Sequence, residues 1–246
     1  GRYVIGTGPY NSLREYLTAI EAHGKLIKID EIDQDAYELT GFMYKLIDKY
    51  GWLDAPAVLV DKVKVSGEWM EGPILINQYG MGGHEALVVG VPLDEIDPED
   101  HILNYKKSLQ KMLSEMPIEP MKTKEVKASD APSKEVVLKG DEIDILSFPF
   151  IQTNPADNGR FINTGNLITI DPDGGRNVGT YRMQIKGPRK IGISPEKNQD
   201  GWKALMAHKE KGASHANVAV VLGSDPIVFA MSSSKTARSG QDELEI

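Results

Sequence analysis

Apolar residues recur at helical spacing in three stretches of the first 120 residues. Leu13, Tyr16, Leu17 and Ile20 share one face, and Ser12 with Glu15 has the spacing of a capping box, so a helix is expected from residue 13 to about His23-Gly24. Positions 39, 42, 43, 46 and 47 mark a second helix over 39–50. Residues 101–116 form a third, with Leu103, Leu109, Met112 and Leu113 expected to face inward. Between them, Leu26, Ile27 and Ile29, the run 57–60 and the run 73–77 read as short strands. Strands alternating with helices predict an α/β unit over 1–120. Pro117, Pro120 and Pro132 with several lysines then mark a linker over 117–135. Beyond it the pattern changes to short strand-like runs at 135–138, 167–170, 182–185, 219–222 and 227–230, with one helix at 201–211. Turn signals such as Asp171-Pro172-Asp173-Gly174-Gly175 separate them, which predicts a meandering sheet or barrel over 121–246.

Composition narrows the function classes. With 28 basic and 36 acidic side chains the 246-residue chain carries a net charge of −8, the wrong sign for coating nucleic acid. It has no cysteine, which removes disulfides, thiolate metal sites and thiol nucleophiles. No apolar run approaches the roughly 20 residues of a membrane span and the N-terminus lacks a signal-peptide pattern, so a soluble, cytoplasmic protein is expected. The five histidines (23, 84, 101, 208, 215) show no metal-ligand spacing, and His208 and His215 read as surface or helix-end residues. No nucleophile elbow, Walker A loop or dinucleotide fingerprint is present.

Three stretches carry candidate chemistry. In 163–184, a β-hairpin accounts for the local pattern, but three residues exceed it. Gly179 within a strand suggests close approach of a backbone or ligand. Arg182 among apolar strand residues needs a carboxylate or phosphate partner. Asn177 offers a neutral oxygen to a hard cation. The second stretch, Met231 to Lys235, presents three hydroxyls and an ammonium after a buried strand, either an anion cradle or a polar turn. The third, Asp242 to Glu245, is an acidic cluster that is either solvated or joins Asn177 around Mn²⁺ or Mg²⁺.

Taken in order, these pieces resemble the UbiD family of prenylated-FMN-dependent decarboxylases over essentially the whole chain. The similar segments are 13–17, 24–26, Pro56-Ala57, 77–80, the Asp157-Asn158-Gly159-Arg160-Phe161-Ile162 run, Asp171-Pro172, Asn177 to Gln184, 223–226 and Asp242-Glu243. The resemblance implies an α/β N-terminal domain followed by a split β-barrel flavin-binding domain, incomplete at residue 246. It implies decarboxylation, or the reverse carboxylation, of an aromatic or α,β-unsaturated acid. Arg182 corresponds to the arginine that orients the substrate carboxylate. Asn177, Gly179, Thr180, Tyr181, Arg182 itself, Ser233, Ser234 and Lys235 correspond to cofactor contacts. Asn177 and Glu243 correspond to ligands of Mn²⁺ or another divalent cation, with K⁺ nearby. Asn198 stands where the family has a histidine ligand, and carbonyl oxygen holds a transition metal more weakly than imidazole. A flavin prenyltransferase would supply the cofactor, and a homo-oligomer or a complex with the missing C-terminal part is expected. In the family, the glutamates that work with the arginine and return the proton lie beyond the position of Ile246. Two rivals stand beside this reading: an FMN oxidoreductase on a split barrel, and a non-catalytic subunit.

Overall fold

The computed structural model describes residues 6–97, 99–115, 122–233, 242 and 244. Helix α1 (Leu13–Ala22) starts where Ser12 accepts a hydrogen bond from the Glu15 amide, while Glu15 reaches back to the amide of Asn11. The chain then runs through β1 (Leu26–Asp33), α2 (Glu38–Tyr50), β2 (Ala57–Val65) and β3 (Glu68–Ile76). Strand β2 lies at the centre of a three-stranded sheet, parallel to β1 and antiparallel to β3. Valines 58, 60, 63 and 65 of β2 are buried against Leu39 and Leu46 of α2, which forms the first core cluster. Helix α1 packs Tyr16, Ala19 and Ile20 into a second cluster with Met81, Leu87 and Val88, the last two from α3 (His84–Val88).

Helix α4 (His101–Glu115) forms where expected but faces the other way. Its buried residues are Asn104 and Ser108, whereas Leu103, Leu109 and Leu113 are exposed and Met112 is half-buried. The Asn104 amide explains this: it accepts from the Asp97 amide and donates to the Asp97 carbonyl, fixing the preceding turn to the helix. The expected strand at 135–138 is also corrected. Those residues are irregular, with Val136, Val137 and Leu138 exposed and no partner strand among the described residues.

The second sheet is built from β4 (Phe161–Ile170), β5 (Arg176–Gly187), β6 (Lys190–Ile193) and β7 (Val218–Val221), all antiparallel in the order β6-β5-β4-β7. The β4–β5 turn is the predicted Asp171–Gly175 segment, closed by the Asp171 amide on the Gly175 carbonyl at 2.7 Å. Ile162, Leu167, Met183 and Ile185 form the third cluster. Helix α5 (Asp200–Glu210) contacts β4 and β5. The run at 227–230 is not a strand but part of helix α6 (Pro226–Ser233). Asp225 caps it by accepting from the amides of Ile227 and Val228 at 3.0 Å, and Pro226 follows at the first helical position, where a missing N–H costs nothing. The two sheets are joined by side chains. Gln34 Nε2 donates to the Gln152 carbonyl, Thr40 to the Thr153 carbonyl, and Phe229 of α6 packs on Tyr79 with ring centroids 4.8 Å apart.

Candidate functional site

The start of the β4–β5 hairpin builds the most developed polar site. Arg182 on β5 donates from Nε to Asn163 Oδ1 at 3.0 Å and from Nη2 to Asp157 Oδ2 at 2.8 Å. Its guanidinium carbon lies 3.8 Å from the centroid of the Phe161 ring, a cation–π stack. Phe161 and Asn163 stand two residues apart on β4, so both are carried to the edge facing Arg182. Asp157 comes from the preceding loop, which is tied down internally. Gln152 Nε2 donates to the carbonyls of Asn154 and Asp157, and the Asn154 amide donates to Asp157 Oδ2. Gly159, at φ +104°, lets the loop turn into β4. The Asp157 side chain is 13% exposed and that of Arg182 44%. The hydrogen bond from Arg182, aided by the Asn154 amide and the guanidinium charge, holds the Asp157 carboxyl below its usual range against the opposing effect of burial. Nη1 of Arg182 makes no hydrogen bond among the described residues.

Arg182 lines a cavity of about 450 Å³ beside β5 and β6, together with Phe161, Thr180, Tyr181, Gln184 and Lys186. Tyr181 explains the strand glycine. A Cβ on Gly179 would lie 2.7 Å from its ring and one on Gly201 of α5 2.6 Å from its hydroxyl, so the ring rests against both glycines. The Gly201 amide donates to that hydroxyl at 3.3 Å.

On the other flank of Thr180 the end of α6 brings hydroxyls together. Thr180 Oγ1 lies 2.9 Å from Ser232 Oγ and 3.0 Å from Ser233 Oγ. Buried Asn166 donates to Thr180 and Ser232, and Ser224 donates to Asn166. Ser234 and Lys235 lie outside the described residues.

Asn177 is half-buried on β5, opposite Thr169 of β4. The Thr169 hydroxyl is buried without a hydrogen-bond partner, so this end of the sheet holds an unanswered polar oxygen beside Asn177. Neutral oxygens of this kind suit a hard cation. Asn198 is exposed in the loop between β6 and α5, and Glu243 lies outside the described residues. No group of three His, Cys, Asp or Glu side chains able to hold a metal occurs among the described residues. His208 Nε2 donates to the Ile170 carbonyl at 2.6 Å near the end of α5, and His215 contacts Ser214, in keeping with their reading as helix-end and surface residues.

The partners of Arg182 were missed by sequence reasoning. The need for a carboxylate was legible in the position of Arg182, and the 157–162 run stood out as a motif, but nothing in the spacing joined the two.

Three comparisons bear on identity. The UbiD 3-octaprenyl-4-hydroxybenzoate carboxy-lyase Rift-related domain matches residues 124–246. Phenolic acid decarboxylase of Escherichia coli O157:H7 is 28% identical over 232 residues, covering 90% of this chain and 45% of that protein. Vanillic acid decarboxylase of Sedimentibacter hydroxybenzoicus in its closed form superposes with a TM-score of 0.76 at 26% identity, covering 96% of this chain and 47% of that one. An evolved dimeric UbiD-class enzyme from Pelotomaculum thermopropionicum, in complex with prFMN, gives 0.74 at 26% identity over 96% of this chain and 49% of its own. The chain therefore spans about half the length of the relatives it matches, and its fold is part of a UbiD-class fold.

Proposed function

Because this chain belongs to the UbiD family, we propose that it supplies about half of a prenylated-FMN-dependent carboxy-lyase acting reversibly on an aromatic or α,β-unsaturated acid. The observation that carries this reading is Arg182, a guanidinium whose Nη1 is uncommitted among the described residues and which lines a cavity of about 450 Å³. A carboxylate binds there through a charge-assisted hydrogen bond and is set in one direction relative to the cavity. Holding the C–CO₂ bond perpendicular to the conjugated system is the task of that bond and of the cavity walls. Thr180, Ser233, Ser234 and Lys235 would donate to the cofactor phosphate, with Tyr181 and Gly179 beside them. Asn177, Asn198 and Glu243 would hold Mn²⁺ or another divalent cation, with K⁺ nearby. When bound, the prenylated flavin supplies an electron sink for the pair released with CO₂.

The reading places an α/β domain at 1–120 and a split-barrel domain at 121–246, whose remaining strands and proton-returning glutamates belong to the other half of an enzyme of the relatives' length. A flavin prenyltransferase would provide the cofactor, a homo-oligomer would be the working form, and the cytoplasm its compartment. CO₂ release from an aromatic acid such as 4-hydroxybenzoate that depends on prenylated flavin tests the reading. Oxidation of NADH with plain FMN, without CO₂ release, would replace it with the oxidoreductase.

A further inference from the structure

Arg182 is the only guanidinium among the described residues that is held by a carboxylate, a side-chain amide and an aromatic face together. We propose that Asp157 and Asn163 are positioning residues that fix the Arg182 guanidinium so that its Nη1 end meets a substrate carboxylate in one orientation. The inference rests on the role just assigned to Arg182.

Arginine commonly binds carboxylates through two parallel N–H groups. Here Nε is taken by Asn163 at 3.0 Å and Nη2 by Asp157 at 2.8 Å. Phe161 covers one face at 3.8 Å. The side-on edge formed by Nε and Nη2 is therefore occupied among the described residues, and the end of the group that carries Nη1 is the part left to face a substrate. The anchors are themselves fixed. Asp157 sits in a loop pinned by Gln152 and Asn154, and Asn163 is part of β4. The pair is also nearly neutral in charge, which matters for a decarboxylation. Negative charge leaves the carboxylate as CO₂ forms, so a free guanidinium stabilises the bound substrate more than the transition state and slows the step. A guanidinium already paired with Asp157 orients the carboxylate with less of that penalty.

The two anchors separate in experiment. Removing Asp157 frees charge and a further N–H donor, so ground-state binding tightens while orientation is lost. Removing Asn163 loses orientation with the charge balance unchanged. The test measures benzoate affinity by calorimetry and kcat for decarboxylation in the flavin-loaded, full-length enzyme. Asp157→Ala is expected to bind benzoate at least about threefold more tightly and to lose roughly tenfold or more in kcat. Asn163→Ala is expected to lose a similar factor in kcat with benzoate affinity within about threefold, and Asn163→Asp, which keeps the acceptor, recovers most of it. Should Asp157→Ala fail to fold, Asp157→Asn keeps the shape and an acceptor oxygen, and the tighter binding with lower kcat is expected there. Unchanged kcat and affinity in the Asp157 and Asn163 variants, with Arg182→Ala inactive, overturns the inference and leaves the function standing. Weaker benzoate binding in Asp157→Ala overturns it too. Normal turnover in Arg182→Ala would instead remove the functional reading itself.

Discussion

Two arginines twenty-two positions apart are put to opposite uses by their surroundings. Arg160 donates to the backbone carbonyls of Leu146, Phe148 and Phe150, with Met70 sulfur beside it, and burial lowers its affinity for its proton. Its charge is consumed in folding the 145–150 segment back onto the sheet. Arg182 keeps Nη1 uncommitted among the described residues, on a cavity. Arg160→Ala strands three carbonyl acceptors and is expected to cost about 2–3 kcal/mol in urea unfolding, a charge-assisted hydrogen-bond loss at the upper end of its range. A cost below about 0.5 kcal/mol would mean that water replaces the guanidinium. Neither set of partners was legible beforehand. Backbone carbonyls leave no mark in a sequence, and Asp157 is 25 residues from Arg182 on a loop whose path is set by Gln152 and Gly159. What could be read was the demand: a guanidinium on an apolar strand needs an anion.

At the scale of elements, periodicity located α1, α2, α4, α5 and every strand of both sheets except the four-residue β6, because period 3.6 or 2 survives whatever the element packs against. It did not show which side of α4 faces in, since Asn104 meets the Asp97 turn more closely than any leucine of that helix meets the core. Asn104→Ala is therefore expected to destabilise by about 1–3 kcal/mol, and Leu113→Ala by less than about 0.5 kcal/mol. The reverse order in a denaturation series would restore the sequence expectation. Helix α6 was mistaken for a strand because its run of Ile227, Val228, Phe229 and Ala230 is continuously apolar, a pattern shared by buried strands and buried helices. The signal that decides it, Asp225-Pro226 at the start, is a helix N-terminus, and the Asp225 carboxylate accepts from both following amides. The consequence reaches the site, because a helix and not a turn brings Ser232 and Ser233 to Thr180.

Across the whole molecule, the second sheet leaves β7 with all four residues exposed, and α4 presents Ile102, Tyr105, Leu109 and Leu113 outward. The charge of −8 is uninformative about substrate, whereas two partly buried histidines bear on pH. Burial lowers the pKa of His84 and of His23, so the unfolded chain takes up those protons at a higher pH than the folded one. Stability is thus fully present above the unfolded value of about 6.5 and falls as pH drops below it. The melting temperature is expected to decline between pH 7 and 5, with a shallower slope in His84→Gln. An unchanged slope would place the titration elsewhere. No described helix is long and apolar enough to cross a membrane, in line with the sequence. The central claim is that Arg182 orients a carboxylate for cleavage, and the most direct measurement is CO₂ release in a single turnover of the flavin-loaded enzyme, compared between wild type and Arg182→Ala with flavin absorbance recorded in both. Loss of CO₂ release by a factor of roughly 100 or more, with flavin retained, is the predicted result; CO₂ release at the wild-type rate from flavin-loaded Arg182→Ala would contradict it.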